Sequence, residues 1–392
     1  MIYKLRKINA LVLLLKEIGA FSRFFFKTPK TEKIIVFYAE HKGYYPNFEG
    51  LIKELIDEHK QNLCYVTSDS HDPILKTSEP RIRTYYINRL LPFFMVFVNC
   101  KVFVMTMPDL NQYHIKRSIN PVHYVYVFHC LFSTHMIYRD GAFDHYDSIL
   151  CVGPHQVKEI RRRENLNQLP EKKLVEAGYY RLERIYYAYR EHFPEKPSSS
   201  TKEIVLVAPS WGDANILEFC GERLIEILLD GQYEVIVRPH PETVRRSPDL
   251  ISLFVSKFGN NPNFTLEKTI ISDESLLRAD ILISDYSGIT LEYAFGTERP
   301  VLFLDVPLKI KNQRFRELGI EPLELALREE IGIIVSPKNM ESVPQVISSL
   351  IAKKVAYEKR LRELRKNNVY SFGQSAKIGA QYIIDLITDK NH

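Results

Sequence analysis

Short apolar runs of strand length alternate with stretches of helical period through almost the whole chain. That alternation restricts the fold to parallel sheets joined by helical crossovers. Strands are expected at 34–39, 63–67, 83–87, 101–105, 123–128 and 148–152, with helices at 48–59 and, rich in basic residues, at 157–165. An apolar stretch over 91–107, interrupted by Pro92, Asn99 and Lys101, reads as a buried helix followed by a strand. The polar Pro/Ser stretch at 191–203 has no periodicity and reads as a linker. A new strand–helix series starts at Ile204. The expected organisation is an N-terminal segment 1–27, a domain over 28–190, the linker 191–203 and a second domain over 204–392. With 392 residues, each domain has enough chain for its own core.

The segment from Ala279 to Ala294 carries the strongest chemical signal. Ile281 to Ile283 reads as a short buried strand, Ser284 to Gly288 as a small polar loop, and Leu291, Ala294 and Phe295 as the spacing of a helix. A strand, a hydroxyl-rich loop and a helix N-terminus in that order build an anion site, because free N–H groups and the positive end of the helix dipole point the same way. Ser284, Ser287 and Thr290 add hydroxyl donors, and such a site suits a diphosphate. The alternative for this segment alone is an ordinary turn capped by Ser287.

A second segment strengthens the first reading. The strand over 234–237 delivers Arg238-Pro239-His240-Pro241 to its carboxyl end, where open parallel sheets bind ligands. Arg238 offers a fixed fork of donors for phosphate, and His240 can donate or carry charge near neutral pH. The two prolines fix the backbone around the histidine and end the strand.

Taken in order, Arg-Pro-His-Pro at 238–241, Ser-Asp-Tyr-Ser-Gly at 284–288 and Glu292 four positions later resemble the CDP-glycerol glycerophosphotransferase family, the teichoic acid polymerases and primases. The strand at 205–207 with Ala208-Pro209-Ser210-Trp211, the strand after Arg299-Pro300, and the segment 370–384 are similar to the family's pattern too. The resemblance is good over about 204–385 and weaker before it. In the N-terminal half the family carries Trp-His-Gly, with its histidine as the base; the matching place here is Phe128-His129-Cys130. Likewise Gly178-Tyr179-Tyr180-Arg181 stands where the family has Gly-Tyr-Pro-Arg. The departures point to a divergent branch that differs on the acceptor side.

The resemblance implies a GT-B-like fold, two doubly wound Rossmann-like domains facing a cleft. It implies transfer of glycerol phosphate, or a related alditol phosphate, from a CDP-alditol to a hydroxyl of a membrane-linked glycan or polyol-phosphate acceptor, with release of CMP. Arg238, His240, Ser284, Ser287, Gly288, Thr290 and Glu292 then form the donor site, and His129, as the general base, and His240 are the catalytic residues. Glu292 would hold a ribose or glycerol hydroxyl, or only stabilise its helix through the dipole. His135, Arg139 and Asp140 are acceptor-side candidates, and the sequence alone leaves open which of His129 and His135 faces the cleft. A GT-B glycosyltransferase or sugar epimerase using a nucleotide sugar in cell-surface polysaccharide synthesis is the alternative, and a member that binds nucleotide without turning it over is another.

Several classes lack support. No Gly-x-Gly-x-x-Gly, Walker A, His-Glu-x-x-His or Gly-x-Ser-x-Gly occurs, so no redox dinucleotide, other cofactor or metal is expected. The five cysteines have no metal-like spacing and read as buried thiols of a reducing cytoplasm. A net charge of +5 without a basic-aromatic face argues against nucleic acid. Residues 2–26 mix basic residues with Leu and Phe, but the apolar core 10–15 is far short of the ~20 residues that span a bilayer. A helix lying in an anionic membrane interface is one reading, with the enzyme peripheral on the inner face of the plasma membrane; a helix packed on its own domain is the other.

Overall fold

The computed structural model describes residues 2–192, 202–212, 214–268 and 272–389, with side chains from residue 11 onward. Most of the expected linker, 193–201, lies outside the described residues. The chain forms two compact units: Met1–His129 with Tyr138–Tyr180 and Tyr370–His392, and Cys130–Ile137 with Arg181–Val369.

The first unit is built on seven strands: β1 (Ile35–Ala39), β2 (Leu63–Thr67), β3 (Ile82–Tyr86), β4 (Val102–Met105), β5 (His123–Val127), β6 (Ser148–Cys151) and β7 (Lys173–Glu176). Their order is β3-β2-β1-β4-β5-β6-β7, and every neighbouring pair is parallel. The chain therefore starts in the middle, winds out to β3 and returns beside β1. β1, β2, β4 and β6 are buried at every position, which explains their continuous apolar runs in place of alternation.

The C-terminal boundary differs from the expected one. Residues 370–392 belong to the first unit, where Ala380 and Ile383 of the helix Ser375–Thr388 join the core of Phe48, Leu51, Val125 and Leu150. Tyr370 N–H donates to the Val152 carbonyl (2.8 Å) and Lys101 Nζ to the Ile387 carbonyl (2.8 Å). An amphipathic helix fits any sheet face still open, so periodicity could not say which unit receives it. Residues 181–190, in the helix Tyr180–His192, belong to the second unit for the same reason, and so does the non-helical segment 130–137, both expected in the first domain.

The helix Ile2–Ser22 is packed along one side. Glu17 Oε1 accepts the N–H groups of Asn88 (2.6 Å) and Leu90 (2.7 Å), and Phe24 lies wholly buried against Tyr85 and Phe94. Along the other side Leu11, Leu15 and Ile18, at helical spacing, stay exposed. The side chains of Lys4, Arg6 and Lys7 lie outside the described ones. Among the described residues no helix is long and apolar enough to cross a membrane.

The second unit carries β8 (Ile204–Val207), β9 (Glu234–Val237), β10 (Phe264–Leu266), β11 (Ile281–Ser284), β12 (Val301–Leu304) and β13 (Gly332–Val335), all parallel, in the order β10-β9-β8-β11-β12-β13. This is the 3-2-1-4-5-6 winding whose switch point opens a crevice between the first and fourth strands. Here that crevice lies between β8 and β11.

Candidate active site

Because all six strands of the second unit run the same way, the residues after β8, β9, β11 and β12 share one edge of the sheet. Ala208–Trp211 follows β8, Arg238–Pro241 follows β9, and Asp285–Gly288 follows β11. Asp285, almost fully buried, ties two of these loops together: its carboxylate accepts the N–H of Ser210 (2.7 Å) and of Ile216 (3.3 Å). Burial pushes this carboxyl above its ordinary range, against the pull of those hydrogen bonds. Asp285 thus fixes the loop after β8 to the loop after β11.

The hydroxyl groups of this loop divide by role. Ser284 ends β11 with its side chain buried, and its hydroxyl donates to the Ala208 carbonyl across the switch point (2.7 Å). Thr290 is buried with its hydroxyl on the Ser287 carbonyl (2.9 Å). Both were expected to meet a diphosphate; both instead bond to backbone carbonyls of the neighbouring loops. Ser287 is half-buried, and its hydroxyl has no partner among the described residues. The N–H groups of Ser287, Gly288 and Ile289 likewise meet no acceptor there, at the head of the helix Ile289–Thr297. These are the donors that a diphosphate could use.

Glu292 was expected to hold a sugar or glycerol hydroxyl. Its buried carboxylate instead takes Arg181 Nε (3.1 Å), and Arg181 also reaches Asp273 (3.0 Å), which pairs with Arg184 (2.7 Å). Burial would raise Asp273, but Arg181, Arg184 and Arg238 outweigh it and hold its carboxyl below the ordinary range. Arg238 is buried beside this set. Its Nη1 lies 3.4 Å from Ser275 Oγ and its Nε 3.9 Å from Glu267. Burial lowers its pKa, with Glu267 opposing, so the guanidinium carries an unspent cost of desolvation that an anion would offset.

His240 caps the helix Pro241–Arg246. Its Nδ1 accepts the Glu242 N–H (3.1 Å), which makes Nε2 the N–H donor of the neutral ring. The ring is half-buried with its centroid 6.1 Å from that of Trp211. Trp211 in turn lies between two cations, Lys309 Nζ at 3.4 Å and Arg246 at 5.0 Å from the ring centroid.

On the first unit, His129 follows β5. It is half-buried, with Tyr44 (5.2 Å between centroids) and Tyr138 (6.2 Å) edge-on to its ring. His135 sits in the second unit, buried, with Nε2 donating to the Ile320 carbonyl (3.0 Å). This leaves His129 as the histidine of the pair that stands at a strand end. Arg139 and Asp140, the other acceptor-side candidates, are exposed and spent on ion pairs with Asp109 and Arg163. After His129 the chain enters the second unit, where Cys130 lies against Gly288. A Cβ on Gly288 would stand 3.3 Å from Cys130 Cβ, a tight contact that would press the two apart by a few tenths of an ångström. Ser133 is then held by Glu324 through both its N–H (2.9 Å) and its hydroxyl (2.7 Å).

Arg181, Asp285, Trp211 and Lys309 were not expected at the site. The first three lay in segments already noted, and only contacts reveal their roles; Lys309 stands in a loop with no motif. Among the described residues no cluster of His, Cys, Asp and Glu could hold a metal, and all five cysteines are free thiols.

A family model described as CDP-Glycerol:Poly(glycerophosphate) glycerophosphotransferase matches residues 20–324, which includes His129 and the whole switch-point edge. The chain belongs to this glycerophosphotransferase family. The teichoic acid glycerol-phosphate primase of Bacillus subtilis (strain 168) is similar at 26% identity over 179 residues, 44% of this chain and 43% of the primase. The match thus spans less than half the length of that relative. The wall teichoic acid polymerase TagF, solved also after a soak with CDPG, shares the fold: TM-score 0.59, 15% identity, 98% of this chain and 96% of the other. A UDP-N-acetylglucosamine 2-epimerase from Listeria monocytogenes, assigned that activity provisionally, aligns with TM-score 0.56 and 12% identity over 91% and 97% of the two chains. At such identities these likenesses establish the GT-B architecture of two parallel-sheet α/β domains for this family member.

Proposed function

We propose that this glycerophosphotransferase family member transfers glycerol phosphate, or a related alditol phosphate, from a CDP-alditol to a hydroxyl of a membrane-linked glycan or polyol-phosphate acceptor, releasing CMP. The observation that carries the reading is the set of donors left over at the β8/β11 switch point, Ser287 Oγ and the N–H groups of 287–289, with the His240 ring and the buried Arg238 on the same sheet edge. They fit a diphosphate. Acceptor oxygen attacks the phosphorus bearing the alditol, the bond to the CMP oxygen breaks, and negative charge spreads over the phosphoryl oxygens. Fixed donors aimed at those oxygens lower the barrier without reorganising. His129 takes the acceptor proton as general base.

The acceptor is proposed to be met at a membrane surface. Exposed Leu11, Leu15 and Ile18, with Lys16 and Lys27 exposed nearby, suit an anionic interface in apolar area and charge.

The test is incubation of the purified chain with CDP-glycerol, other CDP-alditols and UDP-sugars, with acceptor, and detection of the released nucleotide by mass. CMP from a CDP-alditol is expected. UDP from a UDP-sugar would move the chain to the glycosyltransferase reading.

A further inference from the structure

We propose that Lys309 is a further phosphate-binding residue, a second cation that closes over the switch-point crevice and completes the anion cradle of the diphosphate ligand. This deepens the donor reading and rests on it for the ligand's class.

Lys309 lies beyond the end of β12 yet reaches back to the loop after β8. Its Nζ donates to the Trp211 carbonyl (2.5 Å) and stands 3.4 Å from the Trp211 ring centroid. Gly212 lets the loop turn there: its φ is +118°, and a Cβ would meet Lys309 Cε and Nζ at 3.9 Å. The loop that Lys309 touches is the one Asp285 holds to β11 through Ser210 and Ile216. The ammonium is therefore anchored to the rim of the same crevice that presents Ser287 and Gly288.

What it lacks there is an ion pair. A carbonyl and an aromatic face are its only partners among the described residues, and both are neutral. A half-buried ammonium held this way has lost water without gaining a carboxylate. Around it, Lys311 on the same loop and Arg246 on the helix after β9 disfavour its charge, while Asp285 below and Glu242 beside Arg246 favour it. Burial is the largest influence, and the balance lowers the pKa to about 8. A ligand phosphate at the rim would reverse that balance, because its charge supplies what the crevice withholds.

The proposal predicts a proton signature. At pH 8.5 much of the free protein carries neutral Lys309, and binding of a diphosphate should draw a proton from buffer. Calorimetry with CDP in two buffers of different ionisation enthalpy measures this uptake, with UDP and ADP run alongside. Expected are uptake of roughly half a proton by the wild type, and Lys309→Met binding weaker by about tenfold to a hundredfold at pH 7. Lys309→Arg should bind within a few fold of wild type and show no uptake, since a guanidinium stays charged. Wild-type uptake that Lys309→Arg abolishes supports the proposal even should Lys309→Met not fold. Equal affinity in wild type and Lys309→Met, or equal uptake in wild type and Lys309→Arg, overturns it while leaving the CDP reading intact. A Lys309-dependent preference for UDP or ADP upholds Lys309 and removes the CDP reading. Binding of none of the three by wild type removes both.

Discussion

Replacing Asp285 separates its two duties, as an acceptor for loop N–H groups and as a buried charge. In Asp285→Ala the N–H groups of Ser210 and Ile216 lose their acceptor. Each unsatisfied buried donor costs about 1–3 kcal/mol, and the weaker bond to Ile216 belongs at the low end, so about 3 kcal/mol in total is expected. For a unit of this size that lowers Tm by roughly 6–12 °C. Asp285→Asn keeps one carbonyl oxygen for Ser210 but sets an NH2 group against the Ile216 N–H, so about half the loss is expected at neutral pH. The pH dependence tells the duties apart. Burial raises the folded-state pKa of Asp285 above its ordinary 3.8. Below 3.8 the acid is protonated folded and unfolded alike. Between 3.8 and the folded value the native state binds more protons, so this group's contribution to stability falls as pH rises, and above the folded value the whole cost is present. Asparagine carries no such cost. The deficit of Asp285→Asn relative to wild type should therefore shrink from pH 4 to pH 7, as read by calorimetric unfolding at both. A deficit that grows over that interval, or an Asp285→Ala protein melting within about 1 °C of wild type, would refute the reasoning.

His129→Ala should cut turnover by roughly 10²-fold to 10⁴-fold with donor affinity unchanged; near-wild-type turnover removes it as the base. Arg238→Ala and His240→Ala should weaken CDP-donor binding and slow transfer together, and Ser287→Ala should do so by about 1–3 kcal/mol, whereas Ser284→Ala should cost stability but not affinity. Calorimetry giving unchanged donor affinity in the first three would place the nucleotide elsewhere. Arg181→Ala leaves Glu292 and Asp273 short of a partner and should cost about 3 kcal/mol of unfolding free energy; an unaltered melting curve would show the pairs to be idle. Leu15→Glu should abolish salt-sensitive sedimentation with anionic vesicles and leave the fold intact, because Leu15 is exposed; unchanged sedimentation would rule out this face as the contact.

The central strands were legible because parallel strands buried on both faces leave continuous apolar runs, whereas the partly exposed edge strands β7 and β10 left no such run, and the strand order is a matter of long-range pairing that local pattern does not record. The anion loop was legible as a strand, a polar loop and a helix in sequence. Its hydroxyls were not sorted, because the direction of a serine side chain depends on the pleat. Ser284 is the last residue of β11 and points into the sheet, while Ser287 lies beyond it and does not. Glu292 sits on a helix buried along its whole length, and its partner Arg181 is 111 residues away. Local spacing carries no record of such a pairing. Lys309 escaped notice for the same reason: its importance is that it contacts a carbonyl and an aromatic face and no carboxylate among the described residues, which only three dimensions show.

The site is intelligible as what remains after the framework has met its own needs. Asp285 consumes two N–H groups of the β8 loop, Ser284 the carbonyl of Ala208 just after β8, Thr290 the carbonyl of Ser287, and Glu292 the charge of Arg181. Each of these contacts removes a loose end and stiffens a loop that would otherwise have to order on binding. What they leave among the described residues is one hydroxyl and the first N–H groups of a nine-residue helix without acceptors, with a half-buried ammonium held only by a carbonyl and an aromatic face beside them. A surplus of donors at one sheet edge is costly in the free protein and favourable only with an anion present. That asymmetry is what preorganised phosphoryl-transfer sites require, since charge that develops in the transition state then meets dipoles already in place.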